Sequence, residues 1–420
     1  MSATIIALIV LLHPLAGDTL ELGMNNGVRL FLERNQLLKA EKYGVESSRG
    51  ELTTASTRPN PQLSVNASYI DLMKPTPDFS STQMSARIDQ TFELGGKRSD
   101  RIAVAEHSLS EATDEFENTS HNLVDDFKET FLSAALAEKE YQFARESFDI
   151  FSKLKDAAEK RLAAGDIGGE EFTQLRLEEL TYAQHLSEAE QTMTETLSKL
   201  RESLDFGPSV PLKISYDFSP VFELPAEDSL RALAETQRGD LHAERERVRE
   251  EESSVRLARA NGIPDLDVGI ELDRQGPEFK NMVGGGLGIA VPLFDRNQGA
   301  IQSAEAEYRE GRFLLTEKEI EVKNEVHSAY MNYVNSLEVL KATSPSALAD
   351  ARHIRKMAVE SYSIGSIGLV QLLETEKVYT DAVDGYYNAL YKFSMNRVEL
   401  ERAVGIDIFS VQSSGEENTK

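Results

Sequence analysis

Ala164-Gly165-Asp166-Ile167-Gly168-Gly169 recurs as Ile364-Gly365-Ser366-Ile367-Gly368, 200 residues further on. Each glycine turn follows a long helical stretch and precedes another that runs back. Upstream, Ile102, Leu109, Phe116 and Leu123 repeat every seven residues, and Ile301, Tyr308, Leu315 and Val322 do the same 199 residues later. Downstream, Leu186, Met193 and Leu200 find counterparts in Tyr386, Phe393 and Leu400. Pro61-Gln62-Leu63-Ser64-Val65 pairs with Pro264-Asp265-Leu266-Asp267-Val268. A nearly fixed offset held across strand, helix and turn signifies duplication of one supersecondary unit. Each half holds too few strands to close a sheet and too much helix for a globule.

The helices set the scale. Residues 97–163 contain neither proline nor internal glycine, and such a helix extends about 100 Å at 1.5 Å per residue. One apolar seam runs along it, whereas the companion positions in the second copy are Gly311, Lys318 and Glu325. A two-stranded coiled coil needs two apolar positions per heptad, so the pattern suits a helix packed among several neighbours around a wet interior. The matching helix over 299–363 carries Pro345, where a kink or break is expected. Return helices are expected over 170–204 and 369–404, making each copy a helical hairpin that reverses at its glycines.

Four segments read as strands, over 62–71, 82–92, 265–273 and 283–292. Leu63, Val65, Ala67 and Tyr69 alternate with Ser64, Asn66 and Ser68, and Leu266, Val268, Ile270 and Leu272 alternate with Asp267, Gly269 and Glu271. Period two with one apolar face describes a half-buried strand. Ten residues also fit a tilted strand crossing a bilayer, and an ordinary soluble sheet packed on a helix gives the same pattern. Four strands cannot close a barrel, but three copies would supply twelve. The N-terminus offers a secretion signal, an apolar run over 5–12 broken by His13-Pro14 and followed by small residues, which assigns 1–16 to a signal peptide. The repeats then occupy 17–206 and 226–409, joined by a linker over 207–225 and followed by a polar tail over 410–420.

Composition and motifs narrow the function. Forty-five basic against 71 acidic residues give a net charge of −26, which argues against a nucleic-acid partner. The absence of cysteine excludes disulfides, thiolate metal sites and a catalytic thiol. Gly95-Gly96-Lys97 fails as a phosphate loop because Arg98 replaces the Ser/Thr, and the glycines at 284–286 and 288 accompany a strand rather than open a helix. The seven histidines lack ligand spacing. No catalytic, cofactor or metal site is expected, and the chain does not read as an enzyme.

These features together resemble the TolC-type outer-membrane efflux proteins. Thr19-Leu20-Glu21 through Leu32-Glu33-Arg34-Asn35 is similar to that family's opening helix. Residues 90–98, Gln-Thr-Phe-Glu-Leu-Gly-Gly-Lys-Arg, resemble its first strand-to-helix junction, and residues 291–301, from Val-Pro-Leu-Phe-Asp-Arg-Asn onward, the second. Both junctions look most like the heavy-metal cation (CzcC-like) branch. Tyr362-Ser363-Ile364-Gly365 and Leu372-Leu373-Glu374 resemble the second tip. The resemblance covers about residues 18–409. It departs at the lipidation cysteine, which is absent, and at Leu162, where a tyrosine is usual.

The resemblance implies a mainly α fold with a small β part: a duplicated β-β-long-α-hairpin unit, assembled as a homotrimer with an α-helical tunnel and a shared twelve-stranded barrel. It implies an outer-membrane channel reaching into the periplasm, fed by an inner-membrane pump of the resistance-nodulation-division type through a periplasmic adaptor. By the same resemblance the adaptor docks at tips built on Gly165, Ile167, Gly168, Gly365, Ile367 and Gly368. Glu374 and Gln371 occupy the tunnel gate, with only Glu374 keeping the acid. A soluble or periplasmic coiled-coil scaffold is the competing reading; it would keep the heptads but would need neither the strands nor the signal.

Overall fold

In the computed structural model the described residues are 20–68, 83–216, 218, 224–275, 281–343 and 345–408. The expected signal peptide, the hairpin link over 72–81 and the polar tail lie outside them. In chain order the elements are β1 (Leu20–Leu22), α1 (Met24–Arg34), α2 (Gln36–Ser56), β2 (Gln62–Ser68), β3 (Gln83–Phe92), α3 (Lys97–Ala164), α4 (Gly169–Ser203), β4 (Leu212–Ile214), α5 (Glu227–Gln237), α6 (Gly239–Asn261), β5 (Leu266–Gln275), β6 (Met282–Ile289), α7 (Gln298–Ala342), α8 (Pro345–Ser363) and α9 (Leu369–Val404). The 68-residue α3 is unbroken, whereas its counterpart divides into α7 and α8 at Pro345, whose ring removes a backbone donor.

The chain forms two compact units, each drawing on both repeats. One comprises residues up to 39, 119–237 and 323 onward; the other comprises 40–118 and 238–322.

In the first unit, β1 and β4 form a short parallel pair, Leu20 opposite Leu212 and Leu22 opposite Ile214. Leu20–Leu22 is therefore strand, and the opening helix begins only at Met24. Phe31 of α1 stacks on Phe127 of α3 with centroids 5.1 Å apart. Gly27 permits that approach, since a Cβ there would stand 2.8 Å from the Phe127 ring. Tyr333 and Phe393, fully buried or nearly so, pack α7 on α9 at 5.0 Å.

In the second unit the sheet runs β2-β3-β5-β6, antiparallel throughout. The central β3–β5 pairing, Phe92 opposite Leu266 through Gln83 opposite Gln275, joins the two repeats. β6 stops at Ile289, short of the expected 292, because its partner Leu266 is the first residue of β5 and Pro264, two residues earlier, has no N–H to extend the ladder. The helices here approach closely over small residues. Val255, Ala258 and Ala304 form the contact, with the heptad residues Ile301 and Tyr308 packed against it. Between α3 and α6, burial and the neighbouring Glu250 push the Glu111 carboxyl up to about 7, with Glu115 adding to the effect and Arg247 opposing it.

The strand-to-helix junction accounts for the Gly-Gly-Lys-Arg motif. Gly95 and Gly96 have φ of +73° and +81°, a region that favours glycine. They turn the chain so that Lys97, nearly buried, meets Asp265 at 2.7 Å, while the Leu94 N–H donates to the same carboxylate at 3.0 Å. Arg98 donates to the Ser56 carbonyl at 2.8 Å. The motif locks β3 to β5 and α2.

Candidate functional site

Two features carry function-relevant chemistry: the glycine tips and the outward face of the sheet. At the first tip α3 ends with Gly165 at φ +80°, the Gly165 N–H donating to Leu162 O at 3.0 Å and the Asp166 N–H to Arg161 O at 2.9 Å. The second tip repeats this with Gly365 at φ +77°, Gly365 N–H to Tyr362 O at 3.0 Å and Ser366 N–H to Ser361 O at 2.8 Å. Paired 5→2 and 6→1 bonds around a left-handed glycine satisfy the last carbonyls of a helix and reverse the chain. Gly168 and Gly368 differ. Both precede their helices with ordinary extended backbone (φ −82°), and a Cβ at either would meet nothing within 4 Å. Nothing within the chain requires glycine there.

The tips are pinned to each other. Phe151, Leu154 and Ala158 of α3, Leu175 of α4, Ala358 and Tyr362 of α8, and Leu369 and Leu372 of α9 form one buried cluster, with Ile167 and Ile367 packed on it. The two isoleucines thus anchor the turns inward. Tyr362 donates through its hydroxyl to Glu171 at 2.9 Å, burial pushes that hydroxyl up to about 12, and Arg161 donates to the Tyr362 carbonyl at 3.2 Å. Further along, Arg355 of α8 grips Glu376 of α9 with two hydrogen bonds of 2.8 and 2.7 Å. Its guanidinium also donates to Ser147 of α3 at 2.9 Å and lies 4.4 Å from the Tyr379 ring centroid. Arg355 and Glu376 are 3% and 1% exposed.

Glu374 and Gln371 lie one turn apart on the exposed side of α9, while Leu372, Glu376 and Tyr379 face the core. Residues two apart on a helix point roughly opposite ways, so the acid two positions on is the buried one. Nothing local distinguishes Glu374 from Glu376 in the sequence. The Arg355–Glu376 pair joins residues 21 apart across the turn, and no short motif announces it.

The sheet is inside-out relative to a soluble protein. Leu63 (69% exposed), Val65, Ile88, Ile270, Leu272, Val283, Leu287 (76% exposed) and Ile289 all lie on one face and are open. An apolar face of this extent marks a membrane or protein contact. Among the described residues, no helix is long and apolar enough to cross a membrane and no group of three or more His, Asp or Glu could hold a metal ion.

Comparison with known proteins fits this geometry. The outer membrane efflux protein family model matches residues 28–205 and 230–406. The cobalt-zinc-cadmium resistance protein CzcC of Cupriavidus metallidurans is 26% identical over 379 residues, covering 88% of this chain and 86% of that protein. The Campylobacter jejuni CmeC outer membrane channel superposes with a TM-score of 0.74 at 17% identity, covering 94% of this chain and 89% of that one. The outer membrane protein VceC of Vibrio cholerae gives 0.73 at 17%, covering 91% and 96%. Repeated hairpins, a sheet whose apolar face is open and a family match over most of the length lead to one conclusion: the chain belongs to the outer membrane efflux protein family and is an outer-membrane channel component of an efflux system.

Proposed function

We propose that three copies of the chain pool their sheets into a twelve-stranded barrel and their helices into a periplasmic tunnel, conducting solutes from an inner-membrane pump to the exterior. The observation that carries this is the four-stranded sheet with an exposed apolar face and, among the described residues, β2 and β6 as its unpaired outer edges. In lipid, each unpaired backbone group on such an edge costs several kcal/mol, so the sheet has to close, and one chain cannot close it. A soluble scaffold has no use for such a face. Native mass spectrometry of the detergent-extracted protein should give a trimer, and the protein should stay with the membrane after carbonate washing. A species that is monomeric throughout would refute the assembly.

Adaptor and pump partners accompany efflux channels of this family in general. The finer reading is that the adaptor packs on the tips and that the pump is of the resistance-nodulation-division type. Open space about Gly168 and Gly368, where the chain's own fold makes no demand for glycine, supports close approach by a partner backbone. Likeness to a cobalt-zinc-cadmium resistance protein supports divalent metal cations as the cargo. Exposure of Glu374 and Gln371 on one side of α9 supports their placement at the tunnel constriction. Three carboxylates about one axis attract cations, more strongly at low salt. Single-channel recording of Glu374→Gln should then show reduced cation selectivity at low ionic strength, and unchanged selectivity would remove Glu374 from the gate.

A further inference from the structure

Directly opposed residues of an antiparallel ladder share a face, so the register sorts the sheet's charges. Opposite the apolar face stand Asp89, Asp267, Glu271 and Asp273, and one cationic side chain among the described residues, Arg87. Four carboxylates against one guanidinium leave three negative charges per chain. Arg87 is held in a fixed place. Its Nε lies 2.9 and 2.8 Å from the two Asp89 oxygens, and its Nη1 lies 3.6 Å from Glu271. Gly269 and Gly286 face each other across β5 and β6. A Cβ at Gly269 would collide with the Asp89 carboxylate and stand 2.5 Å from Arg87 Nη2, and one at Gly286 would come within 3.6 Å of the same nitrogen. The glycine pair is a cradle in which the guanidinium lies across the wall instead of reaching out from it.

We propose that Arg87 sets the charge selectivity of the barrel, independently of the tunnel tip. Laid in its cradle between Asp89 and Glu271, its single positive charge offsets one of their two negative charges and holds the face at three net negative charges per chain. The inference rests on the reading that three sheets close with their polar faces on a common lumen. Removing the arginine adds one net negative charge per chain to the face that the permeating ion meets.

The test is reversal-potential measurement in planar bilayers under a KCl gradient, comparing wild type with Arg87→Gln, Arg87→Lys and Glu271→Gln, each checked for trimers by native mass spectrometry. For three charges about 10 Å from the axis, one Debye length at 0.1 M, losing the arginine raises the potassium-to-chloride permeability ratio about five-fold at 0.1 M and leaves it nearly unchanged at 1 M. Arg87→Lys should stay close to wild type and Glu271→Gln should shift the ratio the other way. Ser85→Cys, opposite Asp273 on the same face, tests the barrel reading separately through a conductance drop on modification by a cationic thiol reagent. If Ser85→Cys responds while neither Arg87→Gln nor Glu271→Gln moves the ratio, the lumen is real and the role of Arg87 is overturned. If Ser85→Cys does not respond, the barrel reading falls and this inference with it.

Discussion

Replacing Glu376 with alanine tests what holds the helices together behind the tips. The carboxylate is 1% exposed and takes two hydrogen bonds from an arginine that is itself 3% exposed. Deleting it leaves the guanidinium with hydrogen bonds to Ser147 at 2.9 Å and to Glu146 at 3.2 Å, an exposed carboxylate that replaces little of the buried one. Breaking one side of a buried pair costs about 3–5 kcal/mol, because the remaining charge stays desolvated without its partner. For a chain of this length the unfolding entropy is about 0.9 kcal/mol per degree, so the midpoint should fall by about 3–6 °C. The double variant Arg355→Met/Glu376→Leu removes both charges and refills the space, and it should recover most of the loss. Thermal unfolding in detergent followed by circular dichroism at neutral pH measures both. A Glu376→Ala shift below about 1 °C, or a double variant as poor as the two single losses combined, would refute the lock.

Gly365→Ala should cost about 1 kcal/mol, since its φ of +77° strains any Cβ, whereas Gly368→Ala should be neutral in unfolding assays. If Gly368→Leu also leaves export and adaptor cross-linking intact, the tips are turns and nothing more. Glu111 keeps its proton in the folded state up to about 7 but loses it near 4.5 when unfolded, so wild-type stability falls as pH rises between those values. Glu111→Gln should flatten that decline, by about 1 kcal/mol at most because the group is partly solvated, as read from denaturation midpoints at pH 5 and 8. Val65→Arg on the open apolar face should cost about 2–4 kcal/mol of membrane insertion and lower the fraction recovered in outer membranes.

What the sequence disclosed was local. Pro345, the left-handed glycines at 165 and 365, and the seven-residue stripes each act within one or two turns of chain, and the helices begin and end within a residue or so of where these signals place them. Strand alternation was equally visible, because the face choice is written in every second residue. What stayed hidden depends on pairing across long separations. The β1–β4 pair spans three residues on each side, too short for any period to show. The Arg355–Glu376 lock looks like two ordinary helix charges until α8 and α9 are brought together. The junction motif advertised its glycines, but its lysine's partner, Asp265, lies 168 residues away.

Four of the eight residues of β6 are glycine, at 284, 285, 286 and 288. Glycine gives up more backbone freedom on ordering than any other residue, so this strand has little tendency to extend by itself. Its outer edge is one along which a newly exported chain could be captured by a stray strand before it reaches its own partners. A strand with so little intrinsic tendency to extend is a poorer template for such capture than one rich in β-branched residues. The four glycines thus lower the hazard that an outermost strand carries, at the cost of a strand that depends on its neighbour β5 for its order.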